Sequence, residues 1–76
     1  MVTQNVELSS TVIPAIGETA GRVWQVLSKE GQLKLATLQR RVETSSPMLH
    51  LALGWLARED KVEIIADGRG YRVQLR

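Results

Sequence analysis

The chain has 76 residues, room for one domain that on folding buries about 60–65% of the surface its extended form exposes. A content of 43% hydrophobic and 24% charged residues argues against disorder, and the absence of cysteine excludes a disulfide framework and thiolate chemistry. Ten basic against eight acidic side chains leave a net charge of +2, too little to identify a polyanion partner from totals. No apolar run reaches bilayer-spanning length, and the N-terminus lacks the basic start and apolar block of a secretory signal. The expectation is a soluble, cytoplasmic protein without a membrane partner.

In chain order, residues 1–13 mix Thr, Gln, Asn and Ser with Val and Leu at no sustained period. They read as a mobile leader, with Val6 and Leu8 able to add an edge strand, and residues 14–76 form the domain. From about Pro14 to Glu30, the residues Ile16, Ala20, Val23, Trp24 and Leu27 fall at helical spacing, and Gly31 stops that helix. Gln32 to Leu35 alternates briefly, which predicts a single bridge of sheet. A short second helix then runs to about Val42, carrying Leu35, Leu38 and Val42 on one face and Arg40 and Arg41 in its last turn, where cations suit the dipole.

Glu43 to Ser45 is a turn, and a third helix occupies about Pro47 to Glu59 with Ser46 as its N-cap. Leu49, Ala52, Leu53 and Leu56 share one of its faces. Met48, Leu51 and Trp55 form a second apolar stripe, and His50, Gly54, Ala57 and Arg58 remain for solvent or a ligand. The chain ends in a hairpin: Val62, Ile64 and Ala66 alternate, Asp67-Gly68-Arg69-Gly70 supplies residues able to take positive φ, and Tyr71, Val73 and Leu75 alternate again. The predicted core is Ile16, Val23, Leu27, Leu38, Leu49, Leu53, Leu56, Val62 and Val73.

This order, covering residues 16 to 76, resembles a winged helix-turn-helix domain: α+β, three helices with a small antiparallel sheet made of a short strand after helix one and a C-terminal hairpin wing. More narrowly, Ile16-Gly17-Glu18-Thr19-Ala20-Gly21-Arg22-Val23-Trp24 and Leu51-Ala52-Leu53-Gly54-Trp55-Leu56-Ala57-Arg58-Glu59-Asp60-Lys61 resemble a family of small stand-alone bacterial and archaeal winged-helix proteins catalogued as a domain of unknown function. The resemblance implies that the third helix enters the major groove of double-stranded DNA while the wing lies along the backbone or minor groove. It places Ser45, Ser46, Met48, His50, Leu51 and Gly54 toward bases or phosphates and Arg69 and Arg72 on the wing. Three departures stand out. Lys34 replaces a capping residue before helix two, Glu43 sits near a turn position that often holds glycine, and Leu51 with Trp55 replaces the polar residues of a reading face.

Read from the residues themselves, Arg69, Arg72 and Arg76 make a basic wing that suits phosphates or protects a solvated edge, with Lys34, Arg40 and Arg41 as candidate neighbours. Arg58 joins the DNA-facing set at the end of helix three. Ser45 and Ser46 suit a phosphate at the helix N-terminus, although capping alone explains Ser46. His50 is the single histidine, and no carboxylate set at metal-ligand spacing accompanies it. Gly54 costs about 1 kcal/mol relative to alanine in mid-helix, which points to close backbone approach by another helix, a partner or DNA. The leading expectation is a DNA-binding, non-enzymatic module without cofactor. The alternative is a protein-interaction or dimerisation module, pairing with itself or another protein through Met48, Leu51, Gly54 and Trp55.

Overall fold

The order of elements is α1 (Val2–Glu30), β1 (Leu33–Lys34), α2 (Leu35–Val42), α3 (Ser46–Arg58), β2 (Val62–Asp67) and β3 (Gly70–Leu75). The computed structural model describes the backbone of residues 2–76 and the side chains of residues 12–76. The three strands form one antiparallel sheet in the order β1-β3-β2, so the expected α+β winged helix-turn-helix architecture is present.

α1 begins at Val2, not at Pro14, and carries the proline inside it. The edge strand expected at Val6 and Leu8 is replaced by helix, and the packing of those two side chains lies outside the described residues. A proline in a helix removes one N–H and frees the carbonyl four residues earlier. Pro14 is exposed. A helix of 29 residues is about 43 Å long, which accounts for the 47 Å long axis of the molecule. Its inner face carries Ile16, Ala20, Val23 and Leu27, all buried. Thr19 is buried with them and loses no hydrogen bond, because its hydroxyl donates to the Ala15 carbonyl at 2.8 Å. Trp24, expected on the same face, lies one position (about 100°) past Val23 and is 45% exposed.

The other caps follow from local chemistry. Gly31 takes φ +79° and donates its N–H to the Leu27 carbonyl at 2.9 Å, closing α1 as expected. Lys34 precedes α2 with no side-chain cap, and Glu43 ends that helix in the left-handed region at φ +59°, its N–H bonded to the Gln39 carbonyl at 2.9 Å. α3 is capped by Ser45 rather than Ser46: the Ser45 hydroxyl accepts from the Met48 N–H at 3.3 Å. Pro47 therefore sits one place further in, still where an N–H has no helical partner. At the other end Asp60 adopts φ +66°, its N–H bonds the Ala57 carbonyl at 3.0 Å, and Lys61 bonds the Leu56 carbonyl at 2.9 Å, a Schellman closure with aspartate in the glycine position.

All nine predicted core residues are buried, joined by Ala20, Val42 and Ala52. β1 pairs Leu33 with Val73 and Lys34 with Arg72, tying the helices to the sheet. β2 and β3 pair from Val62↔Leu75 to Asp67↔Gly70 around a two-residue turn with Gly68 at φ +62°. Val62 and Val73 lie under the helices, but the hairpin runs past them. Ile64 (42%) and Tyr71 (50%) continue the inner alternation into solvent.

Candidate nucleic-acid interface

At 100° per residue, α3 divides into three arcs. Leu49, Ala52, Leu53 and Leu56 point into the core and are buried. Met48 and Trp55 lie on the shoulder and are half-buried, Trp55 against the core cluster. Pro47, His50, Leu51, Gly54, Ala57 and Arg58 occupy the remaining arc, and every one is exposed. The second apolar stripe expected from the sequence is thus split: Leu51, at 49% exposure, joins His50 and Gly54 on the open face, while Met48 and Trp55 turn toward the body.

Ser45 and Ser46 stand exposed at the start of this face, the first occupied as the cap. The His50 ring folds back along its own helix. Its Nδ1 lies 2.7 Å from the Ser46 carbonyl and 3.4 Å from the Ser46 hydroxyl. A carbonyl only accepts, so Nδ1 carries the proton in that bond, and in the neutral ring Nε2 is left as an acceptor. At Gly54 an added Cβ would meet nothing within 4 Å. Close approach by another helix of this domain is therefore not what the glycine serves.

The basic wing of the sequence divides as well. Arg72 Nε donates to Asp67 Oδ2 at 2.7 Å, with Nη1 at 3.5 Å from Gln32, and Arg76 lies 3.5 Å from Asp60 and 3.8 Å from Glu63. Arg41 holds both carboxylate oxygens of Glu30, at 3.0 and 3.1 Å. These pairs are solvent-exposed and therefore weak, but they neutralise the cations at rest. Among the described residues, Arg22 and Lys29 on α1 and Lys34, Arg40, Arg58 and Arg69 form no ion pair.

Four of these cations lie on the helix-turn-helix and the sheet: Lys34 ends β1, Arg40 is on α2, Arg58 on α3 and Arg69 in the wing turn. Arg40 and Ser45 line one shallow depression between α2 and the start of α3, together with Ala36, Gln39, Glu43 and Thr44. Lys34 and Tyr71 line an adjoining one that shares Ala36 and reaches the wing. Arg69 is exposed at the wing turn and Arg58 at the far end of α3. Tyr71 carried no sequence signal for this role, because its alternation with Val73 and Leu75 marked it as an inward residue. Arg40 was visible as a cation in the last turn before the connection to α3.

Among the described residues no group of three or more His, Cys, Asp or Glu could hold a metal ion, and no helix is long and apolar enough to cross a membrane.

Comparison with known proteins gives a consistent outcome. Residues 9–75 match the family described as Winged helix-turn-helix domain (DUF2582). The chain is 34% identical over 64 residues to the uncharacterized protein MJ1608 of Methanocaldococcus jannaschii, covering 80% of this chain and 90% of that one. The solution NMR structure of protein BT2368 from Bacteroides thetaiotaomicron superposes with a TM-score of 0.73 at 34% identity, over 82% of this chain and 76% of that chain. The crystal structure of transcriptional regulator PA4135 superposes with a TM-score of 0.71 over 99% of this chain and 62% of that one, and at 18% identity it bears on the fold alone.

Proposed function

The chain belongs to the winged helix-turn-helix family DUF2582, and from that premise we propose that it is a double-stranded DNA-binding, transcription-regulator-like module. In this reading α3 enters the major groove and the wing lies on the sugar-phosphate backbone. The observation that carries it is the exposed arc of α3 together with Lys34, Arg40, Arg58 and Arg69, exposed cations with no ion pair among the described residues.

The residues take distinct roles. Ser46 and the first free N–H groups of α3 meet a phosphate at the positive end of the helix dipole. His50 offers Nε2 to an exocyclic amine of adenine or cytosine, and Leu51 offers carbon to a thymine methyl. Gly54 lets the helix backbone come close to the groove wall. Lys34, Arg40, Arg58 and Arg69 neutralise phosphates, which supplies most of the affinity. Arg72 supports the wing through Asp67 and contributes less directly. The role is one of binding without catalysis, in the cytoplasm.

The interaction reading through Met48, Leu51, Gly54 and Trp55 has less surface available to it, since Met48 and Trp55 are half-buried. A titration of unrelated duplexes at several salt concentrations tests the DNA reading. Affinity is expected to fall steeply with salt, and Arg69→Ala to reduce the slope of log affinity against log salt by about one unit while weakening all sequences alike. His50→Ala is expected to change sequence preference with little change in slope. No salt-dependent affinity for any duplex would overturn the proposal.

A further inference from the structure

We propose that the free edge of β2 pairs with β2 of a second copy, antiparallel about a two-fold axis at Ile64, joining two three-stranded sheets into one of six strands. β2 lies at the edge of the sheet, with β3 as its neighbour among the described residues. Between Val62 and Ala66 it carries no proline, glycine or lysine, devices that keep a free edge from pairing; its one charged residue there, Glu63, accepts from Gln74 at 2.8 Å, and Ile64 and Ile65 are 42% and 39% exposed.

The hairpin dictates which backbone groups are free. A two-residue turn makes the flanking pair Asp67↔Gly70 a hydrogen-bonded one, so Ile65 and Glu63 also bond toward β3. Lys61 keeps this parity, accepting from the Arg76 N–H at 3.0 Å. Val62, Ile64 and Ala66 therefore turn their N–H and C=O groups away from β3; Ile64 and Ala66 are exposed there, whereas Val62 is buried, so the open part of the edge is at Ile64 and Ala66. A second strand can satisfy them only if even-numbered residues face even-numbered residues across the seam.

Three central registers meet that condition, and charge separates them. Centred on Ile65, the pairing sets Glu63 against Asp67 and Lys61 against Arg69, like against like. Centred on Glu63, it sets Glu63 against itself. Centred on Ile64, it sets Lys61 against Asp67 at both ends, Glu63 against Ile65, Val62 against Ala66, and Ile64 against Ile64. Lys61 and Asp67 then occupy non-hydrogen-bonded positions, where cross-strand side chains come closest. Lys61 now rests 3.5 Å from Glu59, in an exposed pair that is cheap to exchange. A net charge of +2 per copy offers little opposition to self-association. The pairing makes no use of the open arc of α3, so failure of the DNA titration leaves it standing.

Sedimentation equilibrium of the whole chain and two variants tests it. The wild type is expected to dimerise. Lys61→Glu and Asp67→Lys each place like charges at both ends of the seam and are expected to weaken self-association by roughly tenfold. An equimolar mixture of the two variants restores opposite charges at both ends and is expected to recover wild-type affinity. Because Asp67→Lys also removes the Arg72 ion pair, amide exchange of the wild type provides an independent measure. Protection is expected to rise with concentration at Ile64 and Ala66 and to stay constant at Glu63 and Ile65. A wild type that remains monomeric at NMR concentrations, a mixture that does not recover, or protection rising on α3 instead would overturn the proposal.

Discussion

Helix α3 and the wing are both amphipathic by pattern, yet the pattern means different things in the two places. Along α3 the apolar residues at helical spacing are buried from Leu49 to Leu56, because α1 packs against the helix and joins those residues in one core cluster. Along the hairpin the same regularity continues beyond its support. Val62 and Val73 are buried, whereas Ile64 and Tyr71, on the same side of the sheet, stand in solvent. Periodicity thus reports which side of an element faces inward. How far along the element anything is there to meet it depends on the neighbours.

That contrast is sharpest in stability. Leu53→Ala is expected to cost about 2–5 kcal/mol, the range for a fully enclosed leucine, whereas Ile64→Ala on the wing is expected to cost less than about 1 kcal/mol. Denaturant unfolding of the two variants measures both, and equal losses would mean that the wing is as well covered as the helix.

Trp55 sits between these extremes. As a half-buried shoulder residue packed on the core cluster, it is expected to lose about 2 kcal/mol on change to serine, roughly half the cost for a buried aromatic. Unfolding and sedimentation on that one protein separate packing from association: unchanged stability with altered oligomeric state would reassign Trp55 to an interface.

The smallest effect is expected at Gly54, on the open arc of α3. With no atom within 4 Å of an added Cβ, Gly54→Ala is expected to stabilise the fold by about 1 kcal/mol. DNA affinity of the same variant is expected to fall, since the methyl group meets the groove wall. A stabilised variant with unchanged DNA affinity would leave the glycine without a role in binding.

Much of the fold was legible because it rests on short-range rules. The helices, hairpin, turn glycine and all nine predicted core residues follow from spacing and from the conformations that Gly31 and Gly68 permit. The errors lie where two local solutions are close in energy. Ser45 and Ser46 are both good caps, and the choice of Ser45 shifts the start of α3 by one residue. Pro14 read as a helix start because a proline is well placed there, but the helix continues through it to Val2, with the proline on an exposed position.

The candidate site was less legible. The sequence alone determined that helix three would have an inner apolar face and that cations would stand on the wing and before the turn. Only the tertiary structure decided that Leu51 lies open while Met48 and Trp55 are half-covered, and that Arg72 and Arg76 have carboxylate partners while Arg69 has none among the described residues. It also decided that β2 ends the sheet, with β3 as its neighbour among the described residues. Those facts depend on distances between residues far apart in the chain, such as Arg72 with Gln32 and Arg76 with Asp60, and spacing along a single element carries no information about them.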